Sequence, residues 1–177
     1  MNAQGDWPLE VHRLLAAAGI GMVGYVPDAG HKRLIELCHA DASLRTVVLS
    51  TEEEGVGLAI GAWLGGERSV LLMQSSGVGN IVNALATVKE CRIPLPILVT
   101  MRGEYGEFNP WQVPMGQATP AVLEAMGVVV HPVHDANDVP AAVDAALRLA
   151  YNSYVAVAVL ISQRVIGIKS FQEQAAQ

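Results

Sequence analysis

Short, almost unbroken apolar runs alternate along the chain with longer segments whose apolar residues recur every three or four positions. In the first such segment, residues 8–18, Leu9, Val11, Leu14, Leu15 and Ala18 lie at helical spacing and Gly19 follows, which predicts an entry helix. Residues 21–26 are short and β-prone, and Pro27-Asp28-Ala29-Gly30 makes a turn into a helix over 32–39. Apolar runs at 46–49, 69–73, 97–101, 128–131 and 154–161 predict the remaining strands. A helix rich in small residues follows the second run, another is expected over 81–89, and an Ala-rich one over 138–150. Thr119-Pro120 predicts a short helix with proline in its first position. Residues 74–80 are expected to be a turn, and 102–117 a long polar loop.

Strands apolar along their whole length and alternating with helices predict an α/β fold. The expected form is a single doubly wound domain: a mostly parallel six-stranded sheet covered by helices on both faces, with a core over about 7–169. No internal repeat or low-complexity linker divides the chain, and the tail after Lys169 is polar and expected to fray.

Ligands of such sheets bind beyond the carboxyl ends of the strands. Four polar loops fall there, at 27–31, 50–54, 74–80 and 102–117. Ser50 to Gly66 stands out because Glu52, Glu53 and Glu54 open the helix together. Thr51 and Glu54 fit a capping box, which leaves Glu52 and Glu53 without a capping role. Glu52, at the helix tip, is either a site residue or part of a solvated acidic helix start. Gly77-Val78-Gly79-Asn80 suggests phosphate binding at a helix start, but Val82 stands where a third glycine belongs, and a tight turn explains the glycines equally.

Asp28 and His31 share one loop, where a carboxylate and an imidazole can pass a proton; Asp28 can equally cap the helix that follows. Arg102 can meet an anionic ligand or pair with Glu104 or Glu107. Tyr105, Phe108 and Trp111 suit a substrate lid or a subunit contact. His131 and His134 suit satisfied structural roles, and no metal-ligand spacing occurs. Cys38 and Cys91 lie inside predicted helices and are expected to be buried, reduced thiols.

The net charge of −6 gives no footprint for nucleic acid, and the basic residues are scattered. A hydrophobic fraction of 51% against 16% charged is more than a lone globule of this size needs to hide, which favours an oligomer. No apolar run is long enough for a membrane span, and the start lacks a secretory pattern, so a cytoplasmic location is expected.

Taken together, Tyr25-Val26-Pro27-Asp28, Glu52 nine residues before Gly61, the run Met73 to Asn80, Met101-Arg102-Gly103-Glu104 and Met115-Gly116-Gln117 resemble one family. It is the pyrimidine-binding (Pyr) domain of thiamine diphosphate enzymes, in the sulfopyruvate and phosphonopyruvate decarboxylase group. The resemblance implies that Glu52 hydrogen-bonds N1′ of the aminopyrimidine and favours the tautomer that removes the thiazolium C2 proton. It also implies catalytic roles for Asp28 and His31, and cofactor binding by Gln74, Ser75, Gly77, Gly79 and Asn80 beside Glu52. Arg102 and Gln112 would then bind substrate. The diphosphate-binding (PP) domain of the family, with its Gly-Asp-Gly start, has no counterpart in this sequence.

A Pyr-only chain resembles the α subunit of the split decarboxylases. It implies a separate PP-domain β subunit that holds Mg2+ and the diphosphate, and self-association along the Gly57, Gly61, Gly65 face. Sulfopyruvate is the implied 2-oxo acid, with phosphonopyruvate or another 2-oxo acid as alternatives. A non-catalytic scaffold or regulatory module of the same fold, and a nucleotide-binding module built on the Gly77 turn, are the competing classes.

Overall fold

The computed structural model describes residues 6–168. Six strands form one parallel sheet: β1 (Ile20–Tyr25), β2 (Arg45–Val48), β3 (Arg68–Gln74), β4 (Leu95–Thr100), β5 (Val129–Val133) and β6 (Ala156–Ile161), in the order β2-β1-β3-β4-β6-β5. Central β4 and β6 are buried at every position, because both faces are covered and both neighbours are present. Pro132 is tolerated in β5 because that strand is an edge.

Eight α-helices are described: α1 (Trp7–Ala17), α2 (Lys32–Ala40), α3 (Glu52–Leu64), α4 (Ser75–Ile81), α5 (Leu85–Glu90), α6 (Gln112–Ala125), α7 (Val139–Ser153) and α8 (Gln163–Ile166). Right-handed crossovers decide their faces. The chain moves outward from β1 to β2, so α2 lies on one face; it then reverses through β3 and β4 toward β5, so α3 to α6 lie on the other. It turns back once more to β6, which returns α7 to the face of α2. Two apolar clusters result. One contains Val11, Leu34, Val143 and Leu147 with Val23 and Leu98; the other contains Val56, Val78, Leu85 and Leu123 with Leu71 and Ile97. The reversal between β1 and β3 opens a crevice at their carboxyl ends.

All six predicted strands are present, and the helices depart from expectation in four places. Residues 75–81, expected to be a turn, are helical, and the helix expected over 81–89 is broken into α4 and α5. The second part of the expected 102–117 loop is the start of α6, and Pro120 lies inside that helix instead of opening it. The start is marked by Asn109, whose Oδ1 accepts the Trp111 N–H at 3.2 Å, followed by Pro110. The capping box at α3 is incomplete: Thr51 makes no side-chain cap, while Glu54 Oε2 accepts from the Ser50 N–H at 2.8 Å. The fourth departure is α8, for which no helix was predicted.

Cys38 is buried in α2, where burial and the nearby charge of Asp41 push its thiol up to about 11. Cys91, by contrast, caps α5 and is exposed. His131 Nε2 is buried without a partner among the described residues, contrary to a satisfied structural role. The tail after Lys169 lies outside the described residues, as does the last position of the expected core. Among the described residues no helix is long and apolar enough to cross a membrane.

One buried hydroxyl ties the two halves of the first core. Tyr151 Oη, on α7, donates to the Ser69 carbonyl at 2.6 Å and accepts from the Ser69 N–H at 2.9 Å, and burial pushes its phenol up to about 12. Tyr151→Phe orphans both backbone groups at the start of β3 and should cost about 1–3 kcal/mol. A urea midpoint equal to that of the parent would contradict this.

Candidate active site

Glu52 begins α3 at the carboxyl edge of the sheet and is 6% exposed. Its seat is made by α4. A Cβ on Gly77 would lie 2.2 Å from Glu52 Oε1 and 2.6 Å from its Cγ, so the carboxylate occupies the space that any other residue at 77 would fill. Asn80, one turn further along the same helix, donates from Nδ2 to Glu52 Oε2 at 2.7 Å. The glycine pattern that suggested a turn therefore serves a close approach inside a helix. Gly79 and Asn80 are exposed beside this seat, whereas Ser75 is fully buried with its Oγ accepting the Arg102 N–H at 3.0 Å.

The loop after β1 arches over the end of β3 to reach β4. Thr100 Oγ1 there donates to Asp28 Oδ2, and the contact requires glycine at 30, where a Cβ would come within 2.7 Å of Thr100 Cγ2. Asp28 does not cap α2, whose N-cap is His31. His31 is wholly buried, its Nδ1 stands 3.5 Å from Asp28 Oδ2, and neither ring nitrogen has a hydrogen-bond partner among the described residues. Burial alone would raise the Asp28 carboxyl, but the imidazole, the Thr100 hydroxyl and the Gly30 N–H bring it down to about 2.

Asp28 forms one wall of a cleft of about 270 Å³ that also involves Gly30, Arg102, Gln163 and Ile166. Of the two partners open to Arg102 in the sequence, Glu107 is the one engaged. Nε and Nη2 donate to its two oxygens at 2.7 and 2.6 Å, and both side chains are buried. Burial pushes the Glu107 carboxyl up, and the guanidinium with the Asn109 and Gly103 N–H groups brings it down to about 2. Arg102 Nη1 lies 3.4 Å from Gln74 Oε1. Gln112, at the start of α6, has its Oε1 buried without a partner among the described residues. Thr100 and Gln163 were not singled out in the sequence, and Glu107 only as a partner open to Arg102. Thr100 alone left a trace, as the one hydroxyl in an otherwise apolar strand.

The family model for "Thiamine pyrophosphate enzyme, N-terminal TPP binding domain" matches residues 10–118, which takes in Asp28, Glu52, Gly77, Asn80 and Arg102. The chain belongs to that family. It is 33% identical over 152 residues to the sulfopyruvate decarboxylase subunit alpha of Methanococcus maripaludis, covering 85% of this chain and 91% of the relative. It is also 33% identical over 157 residues to the sulfopyruvate decarboxylase of Methanosarcina acetivorans, covering 88% of this chain but 40% of that longer protein. A solved structure of 2-oxoglutarate:ferredoxin oxidoreductase from Magnetococcus marinus shares the fold, with a TM-score of 0.70 at 14% identity over 90% of this chain and 29% of that one.

The residues present fit a thiamine pyrophosphate pyrimidine. A buried carboxyl with one oxygen fixed by an amide and the other against a bare Cα is suited to face a ring nitrogen and share a proton with it. Among the described residues no group of three or more His, Cys, Asp or Glu could hold a metal ion.

Gly77→Ala should displace Glu52 without unfolding the TPP-binding domain. Alanine gains about 0.5–1 kcal/mol of helix propensity, so stability to urea should stay within about 1 kcal/mol of the parent, while a crystal structure finds Glu52 turned away from Asn80. Glu52 found unmoved would contradict the close approach.

The Asp28 carboxyl gives stability a defined pH dependence. Its pKa is about 2 in the folded chain, against about 3.9 unfolded, so the unfolded state binds more protons between these values. The stabilisation is complete above about pH 4 and is lost as the pH falls toward 2, an effect of ~2 kcal/mol. Urea midpoints from pH 5 to 2.5 should fall less steeply in Asp28→Asn than in the parent; parallel curves would contradict the assignment.

Proposed function

We propose that this chain is the Pyr-domain α subunit of a thiamine diphosphate-dependent 2-oxo acid decarboxylase, converting sulfopyruvate to sulfoacetaldehyde and carbon dioxide together with a separate PP-domain β subunit. The observation that carries the reading is the Glu52 carboxylate held on bare Gly77 by Asn80, in a chain of the TPP-binding family. When bound, thiamine diphosphate supplies the carbon nucleophile for the 2-oxo group and the electron sink for decarboxylation. Glu52 shares a proton with the pyrimidine nitrogen, and Asn80 keeps the carboxylate from rotating out of line. Asp28 lines the cleft with the buried His31 behind it, Nδ1 3.5 Å from Oδ2, a carboxylate and imidazole able to hold or pass a proton during turnover.

Two surfaces support the partners of this reading. The reading assigns the diphosphate and Mg2+ to the β subunit, over the carboxyl edge of the sheet. The outer face of α3 fits a second copy of this chain: a Cβ on Gly57 or Gly61 would meet nothing within 4 Å, and Leu64 is 77% exposed beside them. A helix can approach such a face closely. A cytoplasmic location goes with this reading.

The test is reconstitution. Mixed with the PP-domain subunit, the chain should release carbon dioxide from sulfopyruvate in a thiamine diphosphate-dependent manner. Glu52→Gln should lower kcat by about 10²–10⁴-fold while the two subunits still co-purify. Full activity in that variant would overturn the role of Glu52, and no turnover by the wild-type complex would overturn the function.

A further inference from the structure

Arg102 and Glu107 form a buried ion pair outside both apolar clusters, and a third side chain governs how the pair is held. Gln163 is 3% exposed at the start of α8. Its Nε2 donates to Glu107 Oε2 at 2.8 Å, and its Oε1 accepts the N–H groups of Glu104 and Tyr105 at 3.1 and 3.0 Å. Its own backbone N–H donates to Glu104 Oε1 at 2.9 Å. Both ends of the carboxamide are therefore engaged with residues 104–107. The ring of Tyr105 lies under Arg164, with the guanidinium carbon 4.4 Å from the ring centre, which fastens the same segment a second time.

A buried ion pair is a weak source of stability, since apolar residues of similar volume often do as well or better. What the arrangement does provide is orientation. Glu107 accepts Nε and Nη2 of Arg102 as a fork, and its oxygens also accept the Gly103 and Asn109 N–H groups at 3.2 and 3.0 Å. A carboxylate so held fixes the plane of the guanidinium and leaves Nη1 outside the fork, with one hydrogen toward Gln74 Oε1 at 3.4 Å and a second for a ligand. Arg102 and Gln163 belong to the same cleft as Asp28.

We propose that Gln163 is a positioning residue: through Glu107 it orients the Arg102 guanidinium on the cleft wall so that Nη1 meets the second anionic group of the substrate. The inference rests on the decarboxylase reading, and it names what selects a sulfonate-bearing 2-oxo acid over one ending in a methyl group. One charge-assisted hydrogen bond corresponds to about 10–100-fold in affinity.

The experiment compares the reconstituted wild-type complex with Gln163→Met, which keeps the volume and loses the hydrogen bonds. The KM for sulfopyruvate should rise about 10–100-fold with kcat within about 3-fold, and the constants for pyruvate should move by less than about 3-fold. Loss by the same factor on both substrates, or a fall in kcat at unchanged KM, overturns the proposal. Should Gln163→Met fail to fold, Gln163→Glu retains the acceptor for the two backbone N–H groups and loses the donor to Glu107, and the same split between substrates is expected. Nitrogen NMR of the full chain reads the clamp without turnover: the Arg102 Nε–H should exchange slowly in the wild type and quickly in the variant. If the wild-type complex decarboxylates no 2-oxo acid, the functional reading fails, and the exchange measurement still decides the clamp. Equal exchange in both proteins overturns it.

Discussion

The Glu52 carboxylate occupies the volume that a side chain at position 77 would fill, and that one steric fact ties the two halves of the site together. It forces glycine into the middle of α4, where glycine costs about 0.5–1 kcal/mol relative to alanine. It also fixes the distance between α3 and α4 and brings Asn80 to within 2.7 Å of the carboxylate. Because α4 follows directly from β3, the neighbouring Gln74 and Ser75 are placed by the same packing, and both bond to Arg102. The acidic tip of α3 and the cleft beside Asp28 are thus connected through one short helix.

The charges of the cleft do not add up to an anion hole. Asp28 is ionised at neutral pH, and the charge of Arg102 is matched by Glu107 at 2.6 Å. These three groups together carry one net negative charge. A 2-oxo acid with a second acidic group brings two negative charges to that wall, which these three groups do not offset. On the proposed reading, recognition here is therefore by direction: an oriented N–H of a neutralised guanidinium discriminates by geometry, and the balancing positive charge comes from the other subunit. Directional contacts of this kind govern specificity more than raw affinity.

The strands were legible because burial on both faces leaves an unbroken apolar run, and all six apolar runs became strands. The helices were less so, and for identifiable reasons. Gly77 and Gly79 read as turn formers because glycine is a breaker by propensity; the force that places Gly77 in a helix is the contact with Glu52, distant in sequence. Asn109-Pro110 was the better start signal for α6 than Thr119-Pro120, since an Asn side chain can accept a turn N–H just ahead of a helix. Within α6, Thr119 Oγ1 donates to the Met115 carbonyl at 2.8 Å, one position before the Gly116 carbonyl that Pro120 deprives of its helical donor. Glu52, Asp28 and Arg102 could be read as site candidates because each is a polar residue at a strand edge. Gln163 could not, because its hydrogen bond to Glu107 spans 56 residues and leaves no periodic trace.

The apolar excess of the composition has a place in the fold as well. Both central strands and both clusters are filled, yet Leu64 at 77% and Trp111 at 72% remain open to solvent. Leu64 closes the outer face of the helix that carries Glu52, and Trp111 stands just before α6, which packs on α4. Leu64 and Trp111 thus lie on or beside helices that build the Glu52 seat or pack against it, while Val48 on β2 and Tyr154 after α7 are exposed elsewhere. Leu64 ends α3 at the opposite edge of the sheet from Glu52, and on the proposed reading the outer face of that helix meets a second copy of this chain. Glu52 is buried while Asn80, its partner, is exposed, and on the proposed reading that amide stands at the rim where a partner subunit meets this chain.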